Sequence, residues 1–283
     1  MSHSALRPAE AAVIDHDVAR ALAEDLGSSG DVTADLIGDV PLRAYLHCRE
    51  HAILAGTPWF EACFRALDPD VRCVWQHADG EPIRGGTDIC AIEARSRALL
   101  SAERCAINFL QTLSATATST AACVAAVAGT KARILDTRKT LPGLRLAQKY
   151  AVRCGGGFNH RIGLYDMVLI KENHIAAVGG IGAAINLARS RHGSLPIVVE
   201  VESLSQLDEA LRHAPTRILL DNFTLPDLTE AVVRCGGLVP LEASGGAELP
   251  RLVDIAKTGV DYISVGALTK NIRAVDFSLR VVG

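Results

Sequence analysis

Aromatic side chains make up only 4% of this 283-residue chain, and basic residues do not outnumber acidic ones: 29 Lys and Arg stand against 32 Asp and Glu, a formal charge of −3. With 49% apolar residues, the core must be built mainly from Ala, Val, Leu and Ile, and a chain of this length can bury them in quantity. That composition excludes a disordered, collagen-like or coiled-coil protein. The mild acidity offers no general polyanion-binding surface, so nucleic acid is not an expected partner. Long apolar runs are also missing. The N-terminus MSHSALRPAE lacks a basic start followed by an apolar stretch, and the most apolar helical segment, 105–128, is interrupted by Asn108, Gln111 and several Thr and Ser. A cytoplasmic protein without a membrane partner is expected. The eight cysteines (48, 63, 73, 90, 105, 123, 154, 235) include no CxxC pair, and most lie in apolar runs, where a thiol behaves as a small hydrophobe. No GxGxxG follows a strand-like run, which leaves a dinucleotide-dependent dehydrogenase without support.

The length predicts about two domains. From Ile134 onward one phrase recurs, an aliphatic run ending in a charged or small polar residue and then an amphipathic helical stretch. The runs are ARILDTRK (132–139), MVLIKENH (167–174), IVVEVES (197–203), RILLDNFT (217–224), LVPLEASGG (238–246) and YISVGALTK (262–270). Their continuous apolar character suits parallel strands buried on both faces. Every run ends in polar residues, which favours a barrel, where all strand ends converge on one site, over an open sheet with a single crevice. An α/β fold follows, with a six-unit β/α barrel over 115–270. Residues 1–114 read as a separate α+β domain: helices near 8–25 and 59–67, and strand-like runs at 42–48, 71–77 and 87–100. A long helix starting near 101–103 joins it to the barrel, and the strand-like tail 271–283 is expected to return to it. No Pro/Ser/Gly-rich linker intervenes.

The densest chemical signal is Asp136-Thr137-Arg138-Lys139-Thr140, two adjacent cations at a strand end. Neighbouring side chains of a continuing strand would point to opposite faces, so the loop must aim at least one of them. A solvated strand end would look similar, but more cations follow: His160 and Arg161 after the loop Gly155-Gly156-Gly157, whose glycines let backbone approach a ligand closely, and Lys171 at the end of the apolar run MVLI. An ammonium at that depth is paired or meets an anion, and an ion pair with Glu200 or Asp221 is the plain structural reading. Guanidinium forks favour carboxylate and phosphate oxygens. Ser244-Gly245-Gly246 and Ser264-Val265-Gly266 are small-residue turns whose amides suit a phosphate, although tight βα turns need glycine in any case. Glu200 and Glu202 share a strand face and Asp221 ends the next strand. Such carboxylates suit ribose hydroxyls, a metal or a developing oxocarbenium ion.

These motifs carry a family resemblance. The block DTRKTLPGLRLAQKYAVRCGGGFNHRIGLYDMVLIKENH, with EVES, LLDNF, LEASGG and ISVGALT after it and EDLGSSGDVT and ERCAINFLQTLS before it, resembles the quinolinate phosphoribosyltransferases over nearly the whole chain. The resemblance implies a sandwich-like N-terminal domain, an incomplete α/β barrel, and a homodimer in which each active site borrows from the neighbour. It implies conversion of quinolinate and 5-phosphoribosyl 1-pyrophosphate to nicotinate mononucleotide, pyrophosphate and CO2 in NAD biosynthesis. Arg138, Lys139, His160, Arg161 and Lys171 would line the anion pocket with Thr137, and Arg104 would arrive from the other subunit. Glu200 and Asp221 would serve the ribose side. Ser244, Gly245 and Gly246 with Ser264, Val265 and Gly266 would surround the phosphate. The catalytic set is then Lys139, Lys171, Glu200 and Asp221, with Mg2+ carried mainly by the pyrophosphate near Glu200 and Asp221. Two other readings stand beside it: a Schiff-base aldolase barrel using Lys171 or Lys139, and a non-catalytic phosphometabolite-binding protein.

Overall fold

A computed structural model describes residues 5–282; residues 1–4 of the N-terminal segment and 283 of the tail lie outside the described residues. The chain forms two compact units. One takes the residues up to Ala121, Thr140–Gly156 and the tail from Asn271; the other takes Ala122–Lys139 and Gly157–Lys270.

The first unit is built on an antiparallel sheet in the order Phe277–Val282, Pro41–Cys48, Thr87–Arg95, Arg72–Trp75. The tail supplies its first strand, with Phe277 opposite Cys48 and Val282 opposite Arg43. Ala44, Leu46 and Cys48 are buried at period two, as one covered sheet face requires. The strand-like run read over 87–100 ends at Arg95, and the long helix starts at Ser96, several residues earlier than the sequence suggested. The burial period changes there: Ile92 and Ala94 alternate, while Ala98, Leu99, Ala102, Cys105 and Ala106 follow helical spacing. Ser96 fixes the corner, its Oγ donating to the Gly38 carbonyl (2.8 Å) and accepting from the Val40 amide (3.1 Å).

Of the polar residues that interrupt the apolar helix Ser96–Ala126, Asn108 and Gln111 bond each other, while buried or half-buried hydroxyls satisfy backbone. Ser114 Oγ accepts from the Ala55 amide at 3.1 Å and Thr118 Oγ1 from the Ile53 amide at 2.9 Å, donors that would be costly to leave unpaired in a core. Among the described residues, no helix is long and apolar enough to cross a membrane. The scarce aromatics are concentrated in this unit, where Trp59, Phe60 and Phe64 are fully buried and Trp59 lies 5.6 Å from the Tyr150 ring. Tyr150 belongs to the helix Arg145–Cys154, whose Ala147, Tyr150, Ala151 and Cys154 enter the same core. Residues 140–156 therefore pack with the first unit, whereas the sequence placed them with the barrel.

The second unit is a six-stranded parallel sheet. Its order is Arg133–Leu135, Tyr262–Ser264, Leu241–Ser244, Arg217–Asp221, Ile197–Val201, Val168–Ile170. The first strand in sequence pairs with the last and not with the second, so the barrel is incomplete. A single parallel bridge from Leu135 to Phe158 lies beyond that open edge. Helices Ile181–His192, Leu204–Arg212, Leu225–Cys235 and Leu249–Lys257 follow the strands, and Ser203 and Thr224 cap two of them by accepting from the Gln206 and Asp227 amides; such a cap contributes about 1 kcal/mol. The register aligns Glu200, Leu219, Glu242 and Tyr262 in one row and Asp221 with Ser244 in a row two residues further along. Because side chains alternate, both rows face the same side.

Candidate active site

That side opens into a cavity of about 680 Å³ at the C-terminal ends of the strands, within the range of small-molecule sites. The loop after Arg133–Leu135 contributes Thr137, Arg138 and Lys139, and the loop at 158–161 contributes His160 and Arg161. Lys171, Glu200 and Asp221 come from three successive strand ends, and Ser244, Gly245, Gly246 and Ser264 from the last two. The structure brings these predicted residues together inside one unit. Val265 and Gly266 are not in the lining, and Arg104 lies in the first unit, exposed on the helix Ser96–Ala126. The Val265 amide is already committed to the Leu135 carbonyl at 2.9 Å. Gly266 has a steric role, since a Cβ there would stand 3.1 Å from Lys139 Cδ. Glu202, although on the Glu200 face by parity, lies past the strand end and is exposed.

Asp136 is fully buried and stitches the site together. Its Oδ1 accepts from the His160 amide at 2.8 Å and its Oδ2 from Asn159 Nδ2 at 2.6 Å. Once the strand has ended at Leu135, both Arg138 and Lys139 reach the cavity. Thr137 Oγ1 accepts from the Lys139 amide (3.0 Å) and Thr269 Oγ1 donates to the Lys139 carbonyl (2.8 Å). The Lys139 ammonium itself has no carboxylate partner among the described residues. Burial, and then the neighbouring Arg138 cation, lower the pKa of Arg161, against the opposing pull of Asp166 and Glu200. Two guanidiniums crowded into a partly dry wall are relieved by an anion.

Lys171 does form the ion pair anticipated as its plain structural reading. Its Nζ lies 2.6 Å from Glu200 Oε2, with the lysine side chain 42% and the glutamate 10% exposed. The glycine loop read as a close approach to ligand serves packing at its first position: a Cβ on Gly155 would strike the Ala117 carbonyl, and Gly156 adopts φ +82°. At Gly245 (φ +91°) a Cβ would strike Asn222, whose amide donates to the Ser244 carbonyl at 2.9 Å and which is itself at φ +56°. The cup at the ends of these two strands is thus held in conformations few residues adopt.

Sequence reasoning missed Asn222 and Glu242 in the lining. Glu242 is fully buried; its Oε2 is 2.8 Å from Arg217 Nη1 and 3.4 Å from His160 Nε2, and Arg217 stacks 4.1 Å over the Tyr262 ring. Burial, the largest single influence, pushes the Glu242 pKa up, but the His160 and Arg217 contacts outweigh it and the net shift is downward. Parity was the available signal, since Glu242 precedes the predicted Ser244 by two residues on one strand. His160 Nδ1 accepts from the Arg161 amide at 2.7 Å, and its Nε2 faces Glu242.

An incomplete parallel barrel whose strand ends gather four cationic side chains and three carboxylates around one cavity is a barrel enzyme's site for a small polyanion. The particular family follows from comparison with known proteins. Residues 31–114 match the model for the quinolinate phosphoribosyl transferase N-terminal domain, and residues 116–280 the model for its C-terminal domain. The chain belongs to the quinolinate phosphoribosyltransferase family. It is 43% identical to the nicotinate-nucleotide pyrophosphorylase [carboxylating] of Mycobacterium leprae over 93% of this chain and 95% of that one. It is 40% identical to quinolinate phosphoribosyltransferase [decarboxylating] 1b of Nicotiana tabacum over 92% and 80%. The solved nicotinate-nucleotide pyrophosphorylase of Francisella tularensis is 42% identical and superimposes with a TM-score of 0.95, covering 100% of this chain and 99% of its own.

Proposed function

We propose that this protein converts quinolinate and 5-phosphoribosyl 1-pyrophosphate to nicotinate mononucleotide, pyrophosphate and CO2, a step of de novo NAD biosynthesis. One observation carries the reading: Arg138, Arg161 and Lys139 share a cavity with Glu200 and Asp221. Cations there fit two carboxylates and a diphosphate, and carboxylates fit a sugar carbon that becomes positive. The pyridine nitrogen forms a bond to ribose C1 as the bond to pyrophosphate breaks, through a transition state with oxocarbenium character. Glu200 and Asp221 stabilise that charge, while Lys139 and Lys171 offset the charge on the leaving group. The alkylated ring nitrogen is then cationic. When the bond to the adjacent carboxylate breaks, the electron pair stays on a carbon beside that positive charge, and a proton completes the product.

Among the described residues no three His, Cys, Asp or Glu side chains cluster to hold a metal, yet two carboxylates in one cavity wall fit a magnesium ion that arrives with a diphosphate. Glu200 and Asp221 would hold it, and it would neutralise diphosphate charge. In a homodimer, Arg104, exposed on the helix Ser96–Ala126 of the first unit, would serve the partner's site. The aldolase reading loses support at Lys171, whose Nζ is engaged with Glu200, and the family of the chain does not favour it at Lys139 either. Glu200 and Asp221 argue for turnover over mere phosphometabolite binding, which has no need of them.

The test is incubation with quinolinate, the ribosyl diphosphate and magnesium, followed by product identification. Nicotinate, lacking the 2-carboxylate, should be poorer by about 1–3 kcal/mol, roughly 5- to 150-fold, because cations are left unpaired. Equal efficiency with both acids would refute the assignment of Arg138 and Arg161 to a dianionic pyridine.

A further inference from the structure

The Arg217–Glu242 pair satisfies one carboxylate oxygen: Oε2 lies 2.8 Å from a guanidinium that also stacks on Tyr262, while Oε1 is buried without a hydrogen-bond partner. The approach of His160 to the same oxygen is therefore additional. An amide N–H can only donate, so the 2.7 Å contact from the Arg161 amide makes His160 Nδ1 an acceptor and puts the ring proton on Nε2, the nitrogen facing Glu242. The guanidinium of Arg161 has little holding it from its own end. Its one hydrogen bond among the described residues, from Nη1 to the Met167 carbonyl, is 3.5 Å long, at the limit of what counts as a bond. Its aim depends on its main chain, which is held on the far side by Asp166, accepting from the Ile162 and Gly163 amides at 2.7 and 2.9 Å. On the near side it is held by the His160 ring.

We propose that Glu242 is a positioning residue for the pyridine-binding cation: by fixing the Nε2–H tautomer and the orientation of His160, it presents Nδ1 to the Arg161 amide and so aims the Arg161 guanidinium. The inference rests on the proposed function, in which Arg161 binds a substrate carboxylate. It assigns His160 a task in which both ring nitrogens are used within the protein, and it gives the buried acid a role beyond charge balance for Arg217. For a metal-bound histidine, loss of such an orienting partner costs about 10- to 100-fold, and the lower end of that range is expected for a histidine that orients an anion-binding cation.

Nitrogen NMR of the 15N-histidine protein without substrate tests the first link. His160 should show a pyridine-type Nδ1 and a pyrrole-type Nε2 at neutral pH; an Nδ1–H tautomer or an imidazolium overturns the proposal. For the second link, Glu242→Gln should raise KM for quinolinate about tenfold while kcat stays within about threefold, the signature of lost ground-state binding; a folded variant with unchanged KM overturns it. Should that variant fail to fold, a second pair decides. The side-chain amide oxygen introduced by His160→Asn would occupy the place of Nδ1, so this variant should hold KM several-fold nearer to the wild type than His160→Ala, and equal values overturn the proposal. Wild-type protein that leaves quinolinate unconverted defeats the functional reading, while the tautomer still decides the relay.

Discussion

Replacing Lys171 by alanine separates its two roles, because the structure sets their magnitudes apart. The Lys171–Glu200 pair is short at 2.6 Å, but the lysine side chain is 42% exposed, and pairs open to solvent contribute about 0–1 kcal/mol. The glutamate left behind is not stranded, since Arg161 is also within its electrostatic reach. The melting temperature should therefore fall by only about 2–4 °C in a chain of this size. If the same ammonium meets developing negative charge on the leaving diphosphate, its loss should lower kcat by about 100- to 1,000-fold, or roughly 2.7–4 kcal/mol of transition-state stabilisation. The assay pairs steady-state rates at saturating quinolinate and ribosyl diphosphate with a calorimetric melt of the same sample. Lys139→Ala is the internal control: Lys139 is exposed and has no carboxylate partner among the described residues, so activity should fall while the melt does not move. A Lys171→Ala protein that melts more than about 10 °C lower but turns over within about threefold of wild type would show that the lysine serves the fold, and would refute the assignment.

Two further outcomes follow from the geometry. If Arg104 acts in the partner's site, mixing inactive Arg104→Ala and Lys139→Ala homodimers should restore about a quarter of wild-type activity after random reassortment, since about half the dimers are mixed and half their sites are intact; mass-tagged chains that exchange without recovery would remove Arg104 from the shared site. Arg217→Met leaves the buried Glu242 without its guanidinium and should cost about 3–5 kcal/mol, while the double variant with Glu242→Gln should recover most of that. Because the Glu242 carboxyl is held below its ordinary value of 4.5, its stabilising contribution is present above that value and is lost as pH falls through the lowered one. The stability gap between wild type and Arg217→Met should accordingly shrink as the pH is taken below 4.5, and a pH-independent gap would refute the pairing as its source.

How far the site could be read from sequence depends on how far apart in the chain its partners lie. The six barrel strands were legible because each is a short apolar run punctuated by polar residues, and each observed strand falls inside its run, down to Tyr262–Ser264 within 262–270. Arg138, Lys139 and Arg161 were legible for a related reason: a cation in a strand-end loop announces itself without reference to any other residue. The helix Arg145–Cys154 was not legible as part of the first unit, since its apolar positions Ala147, Tyr150 and Ala151 would suit either core and sequence order favoured the barrel. The Gly155 loop misled because a glycine needed where it meets the Ala117 carbonyl looks the same in sequence as one needed beside a ligand. Glu242 shows the sharper limit. An acid inside LEASGG reads as one more polar strand end until its partners are known, and these are Arg217, 25 residues away, and His160, further still. A buried charge is acceptable only with such partners in place, and they are assembled by strand register, which aligns Glu242 with Leu219 and Tyr262. Cations in strand-end loops can therefore be read one at a time, whereas a buried acid such as Glu242 becomes visible only once the barrel has brought distant strands together.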